Sequence, residues 1–301
     1  MLDYKLVEAL AQVLAEGGFE KAARSLHLTQ SAVSQRVRLL EERLGRPLLV
    51  RGTPLRPTEA GKALLRHYRQ VRLLESDFAL EMQEDKPGFR SLPLAVNADS
   101  LDIWLLDALA PLVREKRILL DLVMDDQERT HALLVQGEVA GCLSTRTQPL
   151  RGTRCQRLGV MPYVCCASPE FAAQWFPRGG PDAQSAGHAP AVLFNRRDEL
   201  HDAFLSAKTG LPRHKLPNYP RHYLPSSIKF VDAVRLGLAY GMIPAPQAAP
   251  HLASGELVEL VPDSPLPVEM FWHQWDLQSE LMDAVQAALQ QAAPRIFNIQ
   301  H

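Results

Sequence analysis

Between Leu28 and Gly45 the chain reads LTQSAVSQRVRLLEERLG, and its chemistry-bearing residues are hydrogen-bonding and cationic side chains. Ser31, Ser34, Gln35 and Arg38 recur at spacings that put them on one side of an α-helix, with Thr29 and Gln30 at its amino end. Ser and Gln reach base edges in a major groove, Arg takes guanine O6/N7 or a phosphate, and a helix N-terminus favours phosphate. On the other side Val33, Val37, Leu40 and Leu44 follow spacings of four, three and four, a stripe only about 40° wide at helical periodicity. A helix shaped for solubility alone would carry Glu/Lys pairs four residues apart. The polar side is therefore read as a face for double-stranded DNA.

Such a face must be held by neighbouring elements. Thr29 is placed to cap the helix over 30–44, and Gly45 followed by Pro47 stops it. Upstream, Leu6, Leu10 and Val13 share the side of a helix over 3–15 that Gly17-Gly18 end, and a short helix from Phe19 to Leu26 carries Ala22 and Ala23, small enough for close helix approach. Together these make a helix-turn-helix. RPLLVRGTPLRPTEAG then reads as a strand, a turn at 52–54 and a short return, a wing with Arg51 and Arg56 flanking its tip for phosphate or minor-groove contact. From Thr58 to about 84 the chain is helix-compatible, with Leu64, Val71 and Phe78 at seven-residue intervals and Leu74 between them, a seam suited to pairing with a second helix.

After a break at 85–91, strand-like runs (92–96, 118–124, 139–144, 158–167, 191–194, 239–243, 270–275) alternate with helical ones (101–114, 129–136, 199–208, 228–236, 280–292). That alternation implies α/β architecture with largely parallel sheets. Ligands bind such sheets at the carboxyl ends of strands. The junction residues there are Asn97, Asp99, Ser100, Asp125, Asp126, Thr145, Asn195, Ser226 and Ser227. Hydroxyls and N–H groups among them suit a carboxylate, and the aspartates an ammonium or guanidinium; helix capping explains the same residue types.

Catalytic signatures are missing from the sequence. There is no GxxxxGK[ST] or GxGxxG loop, no HExxH, and no GxSxG elbow. Neither cofactor nor metal is expected. The four cysteines form no CxxC pair and read as free thiols. No apolar run approaches the roughly 18 residues of a membrane span, and the amphipathic N-terminus does not read as a signal peptide, so a cytoplasmic protein is expected.

At 301 residues the chain accommodates at least two domains of about 100–200 residues each. Its net charge of −1 hides an asymmetry: residues 1–72 hold 13 of the 33 Lys and Arg but 7 of the 34 Asp and Glu, leaving +6 there and −7 in the remainder. A basic head on an acidic body points to nucleic-acid binding by the head alone.

FEKAARSLHLTQSAVSQRVRLLEERLGRPLLVR followed by RPTEAG closely resembles the winged helix-turn-helix of LysR-type transcriptional regulators. In the body, LAVNADSLDIWLLDALAPL, GEVAGCLS, YGMIP and LASGELVEL resemble the ArgP/LysG (IciA) group of that family, whose members respond to lysine or arginine and regulate export of basic amino acids. The resemblance implies a winged helix-turn-helix over 1–57, a dimerising linker helix over 58–85, and an effector domain over 90–301 similar to periplasmic binding proteins. Subdomain I would take 90–161 and 266–301, subdomain II 162–265, with a basic amino acid between them and a homodimer or homotetramer as the assembly. By motif position Thr29, Gln30, Ser31, Ser34, Gln35 and Arg38 fall on the recognition helix, and Arg51 and Arg56 on the wing. Many members carry Pro where this chain has Ser31 and often Arg where it has Gln35, so base preference is expected to differ. Val139-Ala140-Gly141 replaces a Leu-Asp step of many relatives, removing one carboxylate. Two other classes stay compatible with the residues: an α/β ligand-binding protein or enzyme with a basic extension, and an architectural DNA-binding protein.

Overall fold

The computed structural model describes the chain except residues 51, 53, 83–87, 125, 126, 183 and 298–301 and the side chains of 80, 81 and 127–129. Three helices, α1 (Tyr4–Ala15), α2 (Phe19–Ser25) and α3 (Gln30–Leu44), precede a two-stranded wing of β1 (Leu49–Val50) and β2 (Arg56–Pro57). The wing is antiparallel, with Leu49 opposite Pro57 and Val50 opposite Arg56. Val7, Leu10, Val13, Ala22, Val33, Val37 and Leu40 bury together, so the apolar stripe read on α3 is its packed side. Gly45 ends α3 at φ 65°, a left-handed conformation that glycine adopts without a Cβ penalty.

The long helix α4 (Glu59–Glu81) serves both halves of the molecule. Leu64 and Leu65 complete the head core, with Tyr68 packed beside them, while Leu73 packs on the core of the body. Leu64 is thus occupied within its own chain. The apolar side chains left open on α4 lie further along: Leu74, Phe78 and Met82 just beyond its end are 38%, 59% and 62% exposed.

The body runs β3 (Arg90–Val96), α5 (Ala98–Ser100), a π-helical turn at Leu101–Leu105, α6 (Leu106–Glu115), β4 (Ile118–Met124), α7 (Gln127–Gln136), β5 (Gly141–Ser144) and β6 (Thr153–Ala167). It continues through α8 (Pro169–Trp175), β7 (Ala191–Leu193), α9 (Leu200–Thr209), β8 (Arg221–Tyr223), α10 (Ser227–Arg235), β9 (Gly241–Pro244), α11 (Ala245–Ala253), β10 (Val258–Glu259), β11 (Leu266–Trp275) and α12 (Glu280–Phe297). The expected helix over 101–114 starts instead with the π turn.

The body sheet is mixed, correcting the expectation of largely parallel pairing. β4, β3 and β5 are parallel neighbours, but β11 runs antiparallel to both β5 and β6, and β6 runs antiparallel to β9 and β10. The order is β10-β6-β11-β5-β3-β4. The long strand β6 bears this pattern: its first part pairs with β11 and its last part with β9 and β10, so it continues from one α/β lobe into the other and one sheet is shared. A register shift between Met270 and Phe271 interrupts the ladder of β6 with β11. Local alternation predicts the crossover units but not the direction of strands paired across more than a hundred residues.

α4 is tied to the body by charge. Asp77 Oδ1 accepts from Arg90 Nη1 at 2.9 Å, with the two side chains only 11% and 10% exposed, and Asp77 Oδ2 accepts from Ser279 Oγ at 2.6 Å. Removing one partner of a buried pair leaves the other charge uncompensated, at about 3–5 kcal/mol. Asp77→Ala is expected to lose stability on that scale in urea unfolding followed by tryptophan fluorescence, and Asp77→Asn, which keeps an acceptor, to lose less.

Candidate functional site

The candidate nucleic-acid face is on α3. Thr29 adopts an extended backbone and its Oγ1 accepts from Ala32 N at 3.2 Å, capping the helix while sitting 3.0 Å from Ser31 Oγ. Thr29, Gln30, Ser31, Ser34, Gln35 and Arg38 are all exposed, opposite the buried stripe. Arg38 Nε donates to Glu42 Oε1 at 2.9 Å in an exposed pair, an interaction weak enough for a phosphate or base to displace. Glu41 faces inward: its Oε1 accepts from Leu48 N at 2.8 Å and Leu49 N at 3.3 Å, fixing the root of the wing to the helix. Arg56 is exposed on β2; Arg51 lies outside the described residues.

The candidate ligand site lies in the seam between the lobes, centred on Asp99 in the turn after β3. Tyr163 OH, on β6, donates to Asp99 Oδ2 at 2.5 Å, and Ser227 Oγ, at the start of α10, donates to Asp99 Oδ1 at 2.6 Å. The Gln247 side chain of α11 lies 3.2 Å from the same Ser227 hydroxyl. Residues 64 and 128 positions apart are thereby joined through one carboxylate. Burial pushes the Asp99 carboxyl above its usual range, the two hydroxyl hydrogen bonds pull it down, and the nearby Asp198 charge pushes it up. Burial, followed by the charge of Asp99, holds the Tyr163 phenol protonated well above its ordinary value. Among the described residues no cation forms an ion pair with Asp99. Asp198 is engaged by its own turn, its Oδ2 accepting from Phe194 N and its Oδ1 from Leu200 N, both at 2.9 Å.

The other junction residues divide. Asn97 precedes α5 without capping it, and its buried Oδ1 has no partner among the described residues, leaving an acceptor two residues from Asp99. Ser100 is buried beside it. Asn195 is committed to its own turn, its Oδ1 accepting from Arg197 N at 2.7 Å. Ser226 caps α10 by accepting from Lys229 N at 3.3 Å. Thr145 directly follows β5. Asp125 and Asp126 lie outside the described residues. Tyr163 and Gln247 were not legible from the sequence, because a tyrosine in an apolar strand reads as core and a glutamine in the first turn of a helix as solvated. Among the described residues no group of three His, Cys, Asp or Glu is placed to hold a metal ion, and no helix is long and apolar enough to cross a membrane.

An exposed polar helix on a winged head, joined by a long helix to a two-lobed body with a polar seam, defines a ligand-responsive DNA-binding protein. Residues 4–62 match the model of the bacterial regulatory helix-turn-helix protein, lysR family, and residues 90–295 that of the LysR substrate binding domain. The chain belongs to the LysR family of transcriptional regulators. It is 45% identical over 284 residues to the HTH-type transcriptional regulator ArgP of Pseudomonas aeruginosa, covering 94% of this chain and 93% of that one. Its structure is similar to that of ArgP from Mycobacterium tuberculosis, with a TM-score of 0.87 and 35% identity over all of both chains. LysG of Corynebacterium glutamicum with bound effector Arg matches with a TM-score of 0.77 and 29% identity, over 98% of this chain and 99% of that one.

A buried carboxylate without a cation costs the folded state stability once it ionises, so the sign of a pH effect follows. With its folded pKa raised, Asp99 binds its proton more tightly in the folded protein, and stability falls as pH rises from its unfolded value through its folded value. Asp99→Asn removes that penalty and keeps an isosteric acceptor. Without ligand, the variant is expected to gain more in melting temperature over the parent at pH 8 than at pH 5, measured by calorimetry.

Proposed function

We propose that this chain is a transcriptional regulator that takes a basic amino acid, lysine or arginine, between its two body lobes and transmits its presence to an operator-bound head. The observation that carries the ligand class is Asp99. Its carboxylate bridges the lobes through Tyr163 and Ser227, feels the nearby Asp198 charge, and among the described residues has hydroxyl partners only. An ammonium or guanidinium group supplies the missing counter-charge, Asn97 Oδ1 offers a second acceptor, and Ser226-Ser227 at the N-terminus of α10 suit the ligand's carboxylate. Asp126, Thr145, Asn195 and Ser100 belong to the same group of strand-end residues. The effector Arg bound by the LysG structure fits that chemistry.

The reading assigns DNA contact to Thr29, Gln30, Ser31, Ser34, Gln35 and Arg38 in the major groove, with Arg51 and Arg56 of the wing on the backbone. The functional units are 1–57 for DNA binding, 58–85 for the linker helix, and 90–301 for the effector, divided at 161/162 and 265/266. Leu74, Phe78 and Met82, exposed at four-residue intervals, support pairing of two linker helices in a homodimer that can assemble further to a homotetramer. Its action is regulatory binding in the cytoplasm, without catalysis of a reaction. Control of basic amino-acid export or metabolism is the corresponding physiological role.

Two experiments test this. A thermal-shift panel of the common amino acids is expected to show stabilisation by arginine or lysine in the parent, with the shift lost in Asp99→Asn; equal indifference to all of them would end the effector assignment. For the head, Gln35→Ala is expected to reduce discrimination at one base pair by about 1–3 kcal/mol. Mobility shift against a library of operator variants reads this, while the melting temperature and amino-acid response stay at parental values; a variant that unfolds would show that Gln35 had been placed on the wrong face.

A further inference from the structure

The last turn of α7 is a meeting point that DNA binding and ligand binding leave unexplained. Gly137 ends α7 with φ 76°; its N–H donates to Leu134 O at 3.1 Å and that of Glu138 to Leu133 O at 2.8 Å, a Schellman closure. The carbonyls at this end are taken up by two other elements. From the linker helix, Arg66 Nη1 donates to Val135 O and Arg69 Nη1 to Gly137 O, both at 2.7 Å. From the end of β11, Trp275 Nε1 donates to Leu134 O at 3.3 Å. One turn back, His131 packs edge-on against His273 of β11, ring centroids 4.8 Å apart.

Each contact has a physical reason to be specific. Guanidinium groups at a helix C-terminus complement the negative end of its dipole and satisfy carbonyls that have no partner within the helix. Close approach depends on Gly137, since a Cβ there would lie 2.5 Å from Arg66 Cβ and 2.6 Å from its Cα. The α7 backbone is therefore clamped between β11, which is laddered along its length to the lobe-crossing strand β6, and the helix that carries the head.

We propose that the C-terminal turn of α7 is the joint through which a change in lobe arrangement is delivered to the DNA-binding head, with Arg66 and Arg69 as its positioning residues. The proposal rests on the effector-responsive reading above. Displacement of β11 on ligand binding moves α7 through Trp275 and His131. The turn, holding α4 by two charge-assisted hydrogen bonds, carries that helix with it. The arginines touch neither DNA nor ligand, so their removal changes the coupling between the two binding events and not either event alone.

The test uses the full-length protein and a fluorescent operator fragment. Operator affinity is measured with and without saturating arginine in the parent, Arg66→Gln/Arg69→Gln, Arg66→Lys/Arg69→Lys and Gly137→Ala, alongside the arginine-induced thermal shift. In the parent, arginine is expected to change operator affinity by a factor of roughly 5 to 150, the usual span of such couplings. In the Gln pair and in Gly137→Ala the factor should fall below about 2 on that scale, with the thermal shift retained; the Lys pair should keep part of it. Parental coupling in folded Gln-pair or Gly137→Ala protein would overturn the proposal. A parent that shows no thermal shift with arginine or lysine sinks the effector reading instead. Hydrogen exchange then still decides on the joint: operator binding alone should alter protection across residues 130–137 in the parent and not in the Gln pair, and an equal response in both would reject it.

Discussion

The antiparallel ladder between β6 and β11 is the constraint on which the body depends. Its rungs run from Trp275 opposite Thr153 to Leu266 opposite Tyr163, and because β6 continues into the second lobe to pair with β9 and β10, backbone hydrogen bonds rather than a flexible tether join the lobes. A relative lobe movement must twist or bend β6, and the register shift at Met270/Phe271 locally breaks the regularity of its ladder. The ladder also positions the site. Tyr163 reaches Asp99 because β6 carries it past the carboxyl end of β3, while β9, paired to β6, leads into α11 and Gln247.

Buried charge is used in two opposite ways. Asp77 and Arg90 neutralise one another under α4, with Ser279 and Ser76 as additional partners, so that charge contributes rigidity and orientation. Asp99 has, among the described residues, hydroxyl partners only and the like charge of Asp198 nearby. In the first the opposite charges meet within the chain; in the second no cation among the described residues pairs with the carboxylate. What distinguishes the two is the presence of one countercharge, which neither burial nor residue type reveals alone.

Much of the head was legible because its determinants are local. The four-three-four spacing of Val33, Val37, Leu40 and Leu44, the Thr29 cap and the Gly45 stop specify α3 within about sixteen residues, and the polar face follows by subtraction. The heptad-like row on α4 was only half informative, since Leu64 is spent on the head core and the open row is Leu74, Phe78 and Met82. In the body, strand-end positions pointed to Asp99 and Ser227 but equally to Asn195 and Ser226. The structure finds the last two occupied by their own turn and helix cap. Those four residues are alike in sequence context; what separates them is whether a local backbone N–H claims the side chain first.

The winged helix-turn-helix, the long helix after it, the α/β character of the body and the family resemblance are all written in local order, since helical period, caps and crossover alternation act over short stretches of chain. The mixed sheet, the joining of Asp99 to Tyr163 and Ser227, and the seating of Arg66 and Arg69 on the end of α7 emerge only when the chain folds. Each of these pairs residues roughly 64 to 128 positions apart. Local propensity carries no information about which distant group will meet a buried charge or an open carbonyl. That is settled when strands choose neighbours and cores close.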